Sequence, residues 1–166
     1  MLGMVLFLAS ELMFFGGLFA AYFTLRTLAP TWPPPGVELD LPLTAVATGL
    51  LVLSSFSMRA GTARARHDDL GGARLRLGMT LALGAAFLAI KGYELGTAEF
   101  GVGSHAYGSL FFTMLGAHGL HLLVGMALLT VVASRPVAHR LETVGAYWHF
   151  VDAVWLAIFG TVYLIR

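Results

Sequence analysis

Five long apolar stretches alternate with short polar segments along the chain. The stretches cover residues 2–25, 41–58, 77–96, 100–134 and 143–165. Each is close to, or longer than, the roughly 20 residues that an α-helix needs to cross the hydrocarbon core of a membrane. The pattern therefore predicts an all-α, polytopic membrane bundle of five transmembrane helices, at about residues 2–27, 41–59, 75–96, 107–133 and 143–165.

The segments between the stretches read as loops. Residues 32–36 are Trp-Pro-Pro-Pro-Gly, and proline cannot continue a helix because it lacks the N–H and clashes with the preceding turn. Residues 59–76 are rich in arginine and predict a charged hydrophilic loop, and residues 97–108 and 134–142 are the remaining linkers. No long soluble segment interrupts the series, so we expect residues 1–166 to form a single transmembrane domain.

Composition supports the membrane assignment and excludes other classes. The chain is 58% hydrophobic and 11% charged, with a mean hydropathy of +0.81 and no cysteine. An average soluble domain is roughly 25% charged, so a soluble domain and a disordered chain are both excluded. The absence of cysteine excludes a disulfide scaffold. A formal net charge of +1 argues against a nucleic-acid partner.

Arginine is distributed unequally between the loops. The loop after the second stretch holds Arg59, Arg64, Arg66, Arg74 and Arg76, and the loop after the fourth holds Arg135 and Arg140. Cytoplasmic loops carry the excess of lysine and arginine, so we expect a cytoplasmic N-terminus and a periplasmic C-terminus. The first stretch lacks a basic leader and a small-residue cleavage pattern, and we do not expect it to be a signal peptide.

Several ionisable residues lie inside the predicted helices: Glu11, Lys91, Glu94, His118, His121, His149 and Asp152. Intramembrane ionisable groups are costly and usually face the bundle interior. The pairs His118/His121 and His149/Asp152 are spaced i, i+3, so each pair projects from one helix face. At 1.5 Å per residue, the three histidines, Glu11 and Asp152 could share one polar layer.

Three interpretations of this layer stay open on the residues alone. The groups could hydrogen-bond between helices and hold the bundle together, serve lipid or proton chemistry, or bind a metal or haem. Lys91 and Glu94 are one turn apart and could be a pair that reaches to the interface. The tyrosines and Trp32 fit an interfacial aromatic belt. Gly16, Gly17, Gly116, Gly119 and Gly125 are expected to permit close helix contact.

Five collinear segments resemble one family. The run 147–156, Tyr-Trp-His-Phe-Val-Asp-Ala-Val-Trp-Leu, looks like the signature of subunit III of the haem–copper oxidases. Residues 10–15 resemble its helix with a buried Glu, residues 32–36 its Trp-Pro-Pro loop, residues 93–94 its Glu-bearing helix end, and residues 107–121 its glycine–histidine helix. The signature residues are Trp32, Pro33, Pro34, Gly36, Tyr107, Gly108, Ser109, Gly119, Tyr147, Trp148, Phe150 and Trp155.

The resemblance implies an accessory, non-catalytic subunit of a terminal respiratory oxidase, which reduces oxygen to water and pumps protons. It implies that this chain binds no haem or copper, which belong to partner subunits, and that it binds phospholipid. It implies subunit I as the main contact, subunit II and a small subunit IV as further partners, and the bacterial cytoplasmic (inner) membrane as location. Glu11 resembles the family's carbodiimide-reactive carboxylate, and His118, His121, His149, Asp152 and Glu94 its interior polar or lipid-associated residues.

Burial of a carboxylic acid disfavours its anion, so we expect Glu11 to be neutral at pH 7 or hydrogen-bonded to a histidine such as His118 or His149. The chain departs from the commonest family pattern, because it resembles the last five of seven helices and carries Lys91 where a neutral or acidic residue is expected. The alternatives are subunit III of a quinol oxidase, a homologue associated with nitric oxide reductase, and an independent membrane metalloenzyme that uses the histidine pairs. A small transporter would need inverted repeats and interrupted helices, which are not seen.

Overall fold

The protein, in a computed structural model that describes residues 2–134 and 136–165, is a bundle of five long helices. They are α1 (Leu2–Leu28), α2 (Leu41–Arg66), α3 (Leu70–Thr97), α4 (Ala106–Ala133) and α5 (Ala138–Ile158). A π-helical segment, Phe159–Leu164, continues α5. No strand occurs in these residues, and all five helices are long and apolar enough to cross a membrane. The predicted fold class is confirmed.

The second and third helices are longer than the sequence indicates. The expected loop at residues 59–76 is wrong, since α2 continues to Arg66 and α3 starts at Leu70. The Asp69 side chain caps α3 by accepting from Gly72 N at 2.9 Å and from Arg64 Nη1 at 2.6 Å. These hydrogen bonds, the Gly72 bond above all, hold the pKa of Asp69 below its usual range. The arginine-rich run therefore does not mark a long loop, because a helix that leaves hydrocarbon continues into water at little cost.

The last helix also begins earlier than expected, at Ala138 rather than near residue 143. Arg140 lies in its first turn, and Glu142, just beyond that turn, accepts from Arg66 Nε at the end of α2 at 2.9 Å. An ion pair between charged residues therefore joins the end of α2 to the start of α5. The polar composition of this segment hid its helical conformation.

Helix α5 lies at the centre and α1 at the edge of the bundle. Helix α2 packs against α3 and α5, α4 packs against α3 and α5, and α1 packs mainly against α4 and α5. The indoles of Trp148 and Trp155, both buried on α5, donate to Ser54 Oγ at 3.1 Å and Thr48 Oγ1 at 2.9 Å on α2. Two N–H groups that would be orphaned in an apolar core thus fix the register between α2 and α5.

Two glycines provide the space for Trp148. A Cβ on Gly84 would lie 3.0 Å from Trp148 Cη2, and a Cβ on Gly125 would lie 3.1 Å from Tyr147 Cε1. The prediction that Gly16, Gly17 and Gly116 permit close helix contact is wrong, because a Cβ added there would meet nothing within 4 Å. Close contact in this bundle is made around α5, where the bulkiest side chains lie, and not along α1.

Most tyrosines are core residues rather than members of an interfacial belt. Tyr22, Tyr107, Tyr147 and Tyr163 are each 1% exposed, whereas Tyr93 is 65% exposed. The hydroxyls of Tyr22, Tyr147 and Tyr163 have acceptors inside the bundle, and Tyr22 donates to the Thr161 carbonyl at 3.1 Å. The prediction of an interfacial belt is therefore wrong for these four tyrosines. It rested on their position near helix ends, whereas their rings turn into the bundle.

Candidate functional site

Glu11 forms a hydrogen bond with a histidine across the α1–α4 contact. Its Oε2 lies 2.7 Å from His121 Nε2, and the two side chains are 19% and 17% exposed. The prediction that His118 or His149 is the partner of Glu11 is wrong. Helix α1 packs against the face of α4 that presents His121, while His118 points towards α3 and α5.

The second ring nitrogen of His121 determines how the pair shares protons. Nδ1 lies 2.7 Å from the Ala117 carbonyl, which can only accept, so Nδ1 carries a hydrogen. A second hydrogen must lie between His121 Nε2 and Glu11 Oε2. Without it, the lone pair of an unprotonated nitrogen would face a lone pair of a carboxylate oxygen. The Tyr147 hydroxyl donates to the His121 carbonyl at 2.9 Å, and the Phe15 ring packs edge-on against the imidazole. The pair is held in one geometry from three sides.

His149 and Asp152 lie on the opposite side of α5, against α2. His149 Nδ1 is 2.6 Å from Ser55 Oγ. Asp152 is 6% exposed, and neither carboxyl oxygen has a hydrogen-bond partner in the described part of the chain. Both residues line a cavity of about 260 Å³ between α2 and α5, together with Arg59. This is a second polar centre, separate from Glu11.

Lys91 and Glu94 form a buried network near the predicted outer end of the bundle. Lys91 is 5% exposed and Glu94 9%, and Lys91 Nζ donates to Glu94 Oε2 and to Thr44 Oγ1, the latter at 2.8 Å. The Tyr163 hydroxyl donates to Glu94 Oε1 at 2.8 Å. Lys91 Nζ also lies 5.0 Å and 4.8 Å from the ring centres of Trp155 and Tyr163. Since both side chains are buried, the interpretation of Lys91 and Glu94 as a pair that reaches out to the membrane interface is wrong.

His118 is the most enclosed of the histidines. It is 1% exposed, and neither ring nitrogen has a hydrogen-bond partner among residues 2–134 and 136–165. Its ring lies 5.1 Å from that of Trp155 and 5.8 Å from that of Phe87. An imidazole held between two aromatic rings still has one donor and one acceptor to satisfy.

The interior histidines do not come together in one cluster. His121 faces α1, His149 faces α2, and His118 lies between α3 and α5, so the histidines lie in three separate places. No group of three metal-ligating side chains occurs in the described residues. Helical spacing correctly put the residues inside the bundle, but could not show to which neighbour each one turns.

The motif residues of the loops hold together the end of the bundle where α1 ends and α4 begins. Trp32 packs edge-on against Tyr22 and Tyr107, with ring centres 5.3 Å and 5.1 Å away. Gly36 has a φ of +87°, a conformation that favours glycine. A Cβ on Gly108 would lie 2.6 Å from the Gly101 carbonyl oxygen, so this position also requires glycine. The Trp-Pro-Pro segment thereby connects α1 to the start of α4.

The family model of cytochrome c oxidase subunit III matches residues 1–165. The chain belongs to the cytochrome c oxidase subunit III family. It is 40% identical over 179 residues to the probable cytochrome c oxidase subunit 3 of Nocardia farcinica, covering 99% of this chain and 87% of that relative. It is 41% identical over 175 residues to the cytochrome c oxidase subunit 3 of Synechocystis, covering 99% and 75%.

A third relative, the cytochrome c oxidase subunit 3 of Thermostichus vulcanus, is 36% identical over 173 residues, with coverage of 99% of this chain and 86% of the relative. The resemblance found in the motifs is confirmed. Subunit III is one subunit of a haem–copper oxidase, so membership of the family implies a complex with other oxidase subunits. The five apolar helices make it a multi-pass membrane subunit.

Thr44 and Tyr163 are the residues that sequence reasoning missed. Both belong to the Lys91–Glu94 network, and Tyr163 was assigned to the interfacial belt. Thr44 lies at the start of α2, four residues after Asp40. A single threonine in an apolar run does not by itself indicate a functional residue. The only available signal was Lys91 itself, since a lysine inside a helix of this kind requires more than one acceptor.

Proposed function

We propose that this chain is the accessory, non-catalytic subunit III of a terminal haem–copper oxidase in a bacterial cytoplasmic membrane. The match of the family model over residues 1–165 carries the proposal. Subunit I would be its main contact, with subunit II and a small subunit IV as further partners, and haems and copper would reside in the partners. The relatives named here are cytochrome c oxidase subunits, which favours cytochrome c over a quinol as electron donor of the complex.

The geometry supports a structural and proton-related role more than chemistry by the chain itself. Glu11 and Lys91 have hydrogen-bond partners on other helices, His121 of α4 for Glu11 and Thr44 of α2 for Lys91. Such pairs fix helices relative to each other in hydrocarbon. We place Glu11 at the α1–α4 surface as a carboxyl that holds or passes a proton, and assign stabilisation of subunit I and binding of phospholipid to the chain as a whole.

The independent metalloenzyme is the alternative from another class. It would use His118, His121 and His149 as ligands, and these side chains are directed at three different helices. Their existing contacts would have to break for them to converge. The geometry therefore favours the accessory subunit.

Co-purification tests the proposal. A chain with an affinity tag is isolated from its own membranes in mild detergent, and the optical spectrum and metal content of the eluate are measured. We expect haem and copper to elute with partner subunits, and the chain separated from them to carry no stoichiometric metal. Oxygen uptake with reduced cytochrome c and with a quinol then assigns the donor. An eluate without haem, or metal that stays on the separated chain, would contradict the proposal.

A further inference from the structure

A crevice between α3 and α4 has no role in the proposed function. It encloses about 310 Å³ and is lined mainly by leucines and by the rings of Phe87 and Trp155. At its rim, Leu120 and Leu123 of α4 are 61% and 53% exposed. Because these residues lie on a membrane-spanning helix, the crevice opens towards hydrocarbon. We refer to it as the α3–α4 crevice.

Missing side chains create this crevice. Gly92 of α3 and Gly116 and Gly119 of α4 line it. A Cβ would meet nothing within 4 Å at Gly92 or Gly116, and only Leu88 at 3.8 Å at Gly119. The two helices are thus not drawn together by these glycines, in contrast to Gly84 and Gly125 beside Trp148. The glycines leave space that the bundle itself does not fill.

His118 supplies the polar group of the crevice. It lines the crevice while being 1% exposed, and neither of its ring nitrogens has a hydrogen-bond partner within residues 2–134 and 136–165. A buried donor and acceptor left unpaired cost free energy. A site with an apolar lining and one or two placed polar groups is the usual form of a small-molecule pocket, and 310 Å³ lies at the lower end of the range for such pockets.

The charge of the lining excludes an anion. Lys91 also borders the crevice, but its amino group donates to Glu94, Thr44 and Tyr163 and is neutralised by the Glu94 carboxylate. Only the apolar stem of Lys91 is available to a ligand. Water is also a poor occupant, because a water molecule needs two or more polar partners, and among the described residues that line the crevice His118 alone has a side chain without a hydrogen-bond partner.

We propose that the α3–α4 crevice binds one neutral, single-chain amphiphile from the membrane, whose hydroxyl or carbonyl oxygen hydrogen-bonds to His118. The chain of the ligand lies along the leucines of α3 and α4 and leaves past Leu120 and Leu123. The volume fits one chain rather than the two of a phospholipid. A hydroxyl can pair with either imidazole nitrogen, and a carbonyl only with the one that carries hydrogen.

Photolabelling in membranes tests this site on the assembled protein. Membranes that contain the chain are treated with three diazirine probes of equal chain length: a long-chain alcohol, the corresponding methyl ketone and the corresponding alkane. Labelled residues are located by peptide mass spectrometry. We expect the alcohol, the ketone or both to label residues 88–95 and 115–123 roughly three- to tenfold more than the alkane, the ratio that one hydrogen bond contributes.

Variants separate the hydrogen bond from the cavity. His118→Leu should reduce alcohol and ketone labelling to the alkane level, and His118→Gln, which keeps an N–H donor, should retain ketone labelling. Gly119→Leu should fill the crevice and suppress all three probes without touching His118. Val131→Leu, at a 72% exposed position on α4 outside the crevice, is the matched control and should change nothing.

Each possible result either supports or overturns the proposed site. A preference for the alcohol alone assigns a hydroxyl ligand, and a preference for the ketone assigns a carbonyl such as that of a quinone or ester; both support the site. Equal labelling by all three probes would show an apolar groove without recognition by His118 and would overturn the proposal. Labelling no higher than around Val131 would also overturn it, because the crevice would then be closed by a neighbouring subunit.

Discussion

Glu11 and His121 must share one hydrogen, because His121 Nδ1 is committed to the Ala117 carbonyl. Either the carboxylic acid donates to a neutral ring, or an imidazolium donates to a carboxylate. In both states the pair as a whole carries no net charge in hydrocarbon. The helix contact between α1 and α4 therefore depends on hydrogen-bond capacity at position 11 rather than on a negative charge.

Glu11→Gln tests this dependence. The glutamine amide can donate to the bare His121 nitrogen, so we expect the variant to assemble with its complex at the level of the unchanged protein. Glu11→Leu leaves that nitrogen unpaired and should destabilise the α1 contact by about 1–3 kcal/mol. Recovery of the subunit from membranes and thermal denaturation measure the difference. Loss of the Gln variant alongside the Leu variant would show that the charge is required.

A hydrophobic carbodiimide gives a second prediction at the same residue. Such reagents react with protonated acids in apolar surroundings, and we expect modification of the complex at Glu11 and its absence in Glu11→Gln. Asp152, whose carboxyl is 6% exposed within the α2–α5 contact, serves as the internal comparison. Labelling that occurs only at sites other than position 11 would contradict the prediction.

Lys91 and Glu94 behave differently, because both are charged groups enclosed by the bundle. Lys91→Met alone leaves the Glu94 carboxylate unpaired, and Glu94→Gln alone leaves the ammonium, so each should destabilise the protein by about 3–5 kcal/mol. The double variant removes both charges and should recover most of that loss. A double-mutant cycle by thermal denaturation measures the coupling. Additive effects of the single variants would show that the two charges are independent.

At this scale the sequence revealed which residues matter but not how they pair. Intramembrane position identified Glu11, Lys91, Glu94 and the histidines. The partner of Glu11 lies 110 residues away, and the choice among the three histidines depends on the rotation of α4 about its axis. Tyr163 reaches Glu94 from 69 residues away, through a π-helical segment that no local pattern announces.

Helices in this bundle are packed against α5 by matching small residues to large ones. Gly84 on α3 and Gly125 on α4 border the Trp148 ring from two sides, and the Trp148 indole donates to Ser54 on α2. One side chain thus contacts three other helices. The hydrophobic pattern predicted the helices because length and polarity suffice for that, but it is silent on which glycines are in contact.

Gly125→Leu should therefore disrupt packing, since a Cβ at this position already lies within 3.1–3.5 Å of the Tyr147 and Trp148 rings. Overpacking of this kind costs about 1–3 kcal/mol or more, and the variant should lose thermal stability accordingly. Gly17→Leu on α1 is the control, because nothing lies within 4 Å of the added Cβ. Equal stability of both variants would contradict the assignment of Trp148 as the central contact.

For the molecule as a whole, the uneven distribution of arginine leads us to propose a cytoplasmic N-terminus. The chain has no cysteine, so a single introduced cysteine gives a signal without background. We expect an impermeant maleimide added to intact cells to label Gly103→Cys, in the connection between α3 and α4, and to spare His67→Cys, between α2 and α3. Permeabilised cells should label both. The opposite pattern would invert the orientation.

The order of the helices along the chain has a consequence for biosynthesis. Helix α1 is made before the other four helices, yet its main contacts are α4 and α5, and His121 follows Glu11 by 110 residues. At about 5–20 residues per second, synthesis of that interval takes roughly 5–20 s. During this time a carboxyl group stays in the bilayer without its hydrogen-bond partner, and α1 is not yet docked. The nascent subunit is thus most vulnerable to quality-control proteolysis in the interval between insertion of α1 and translation of α4.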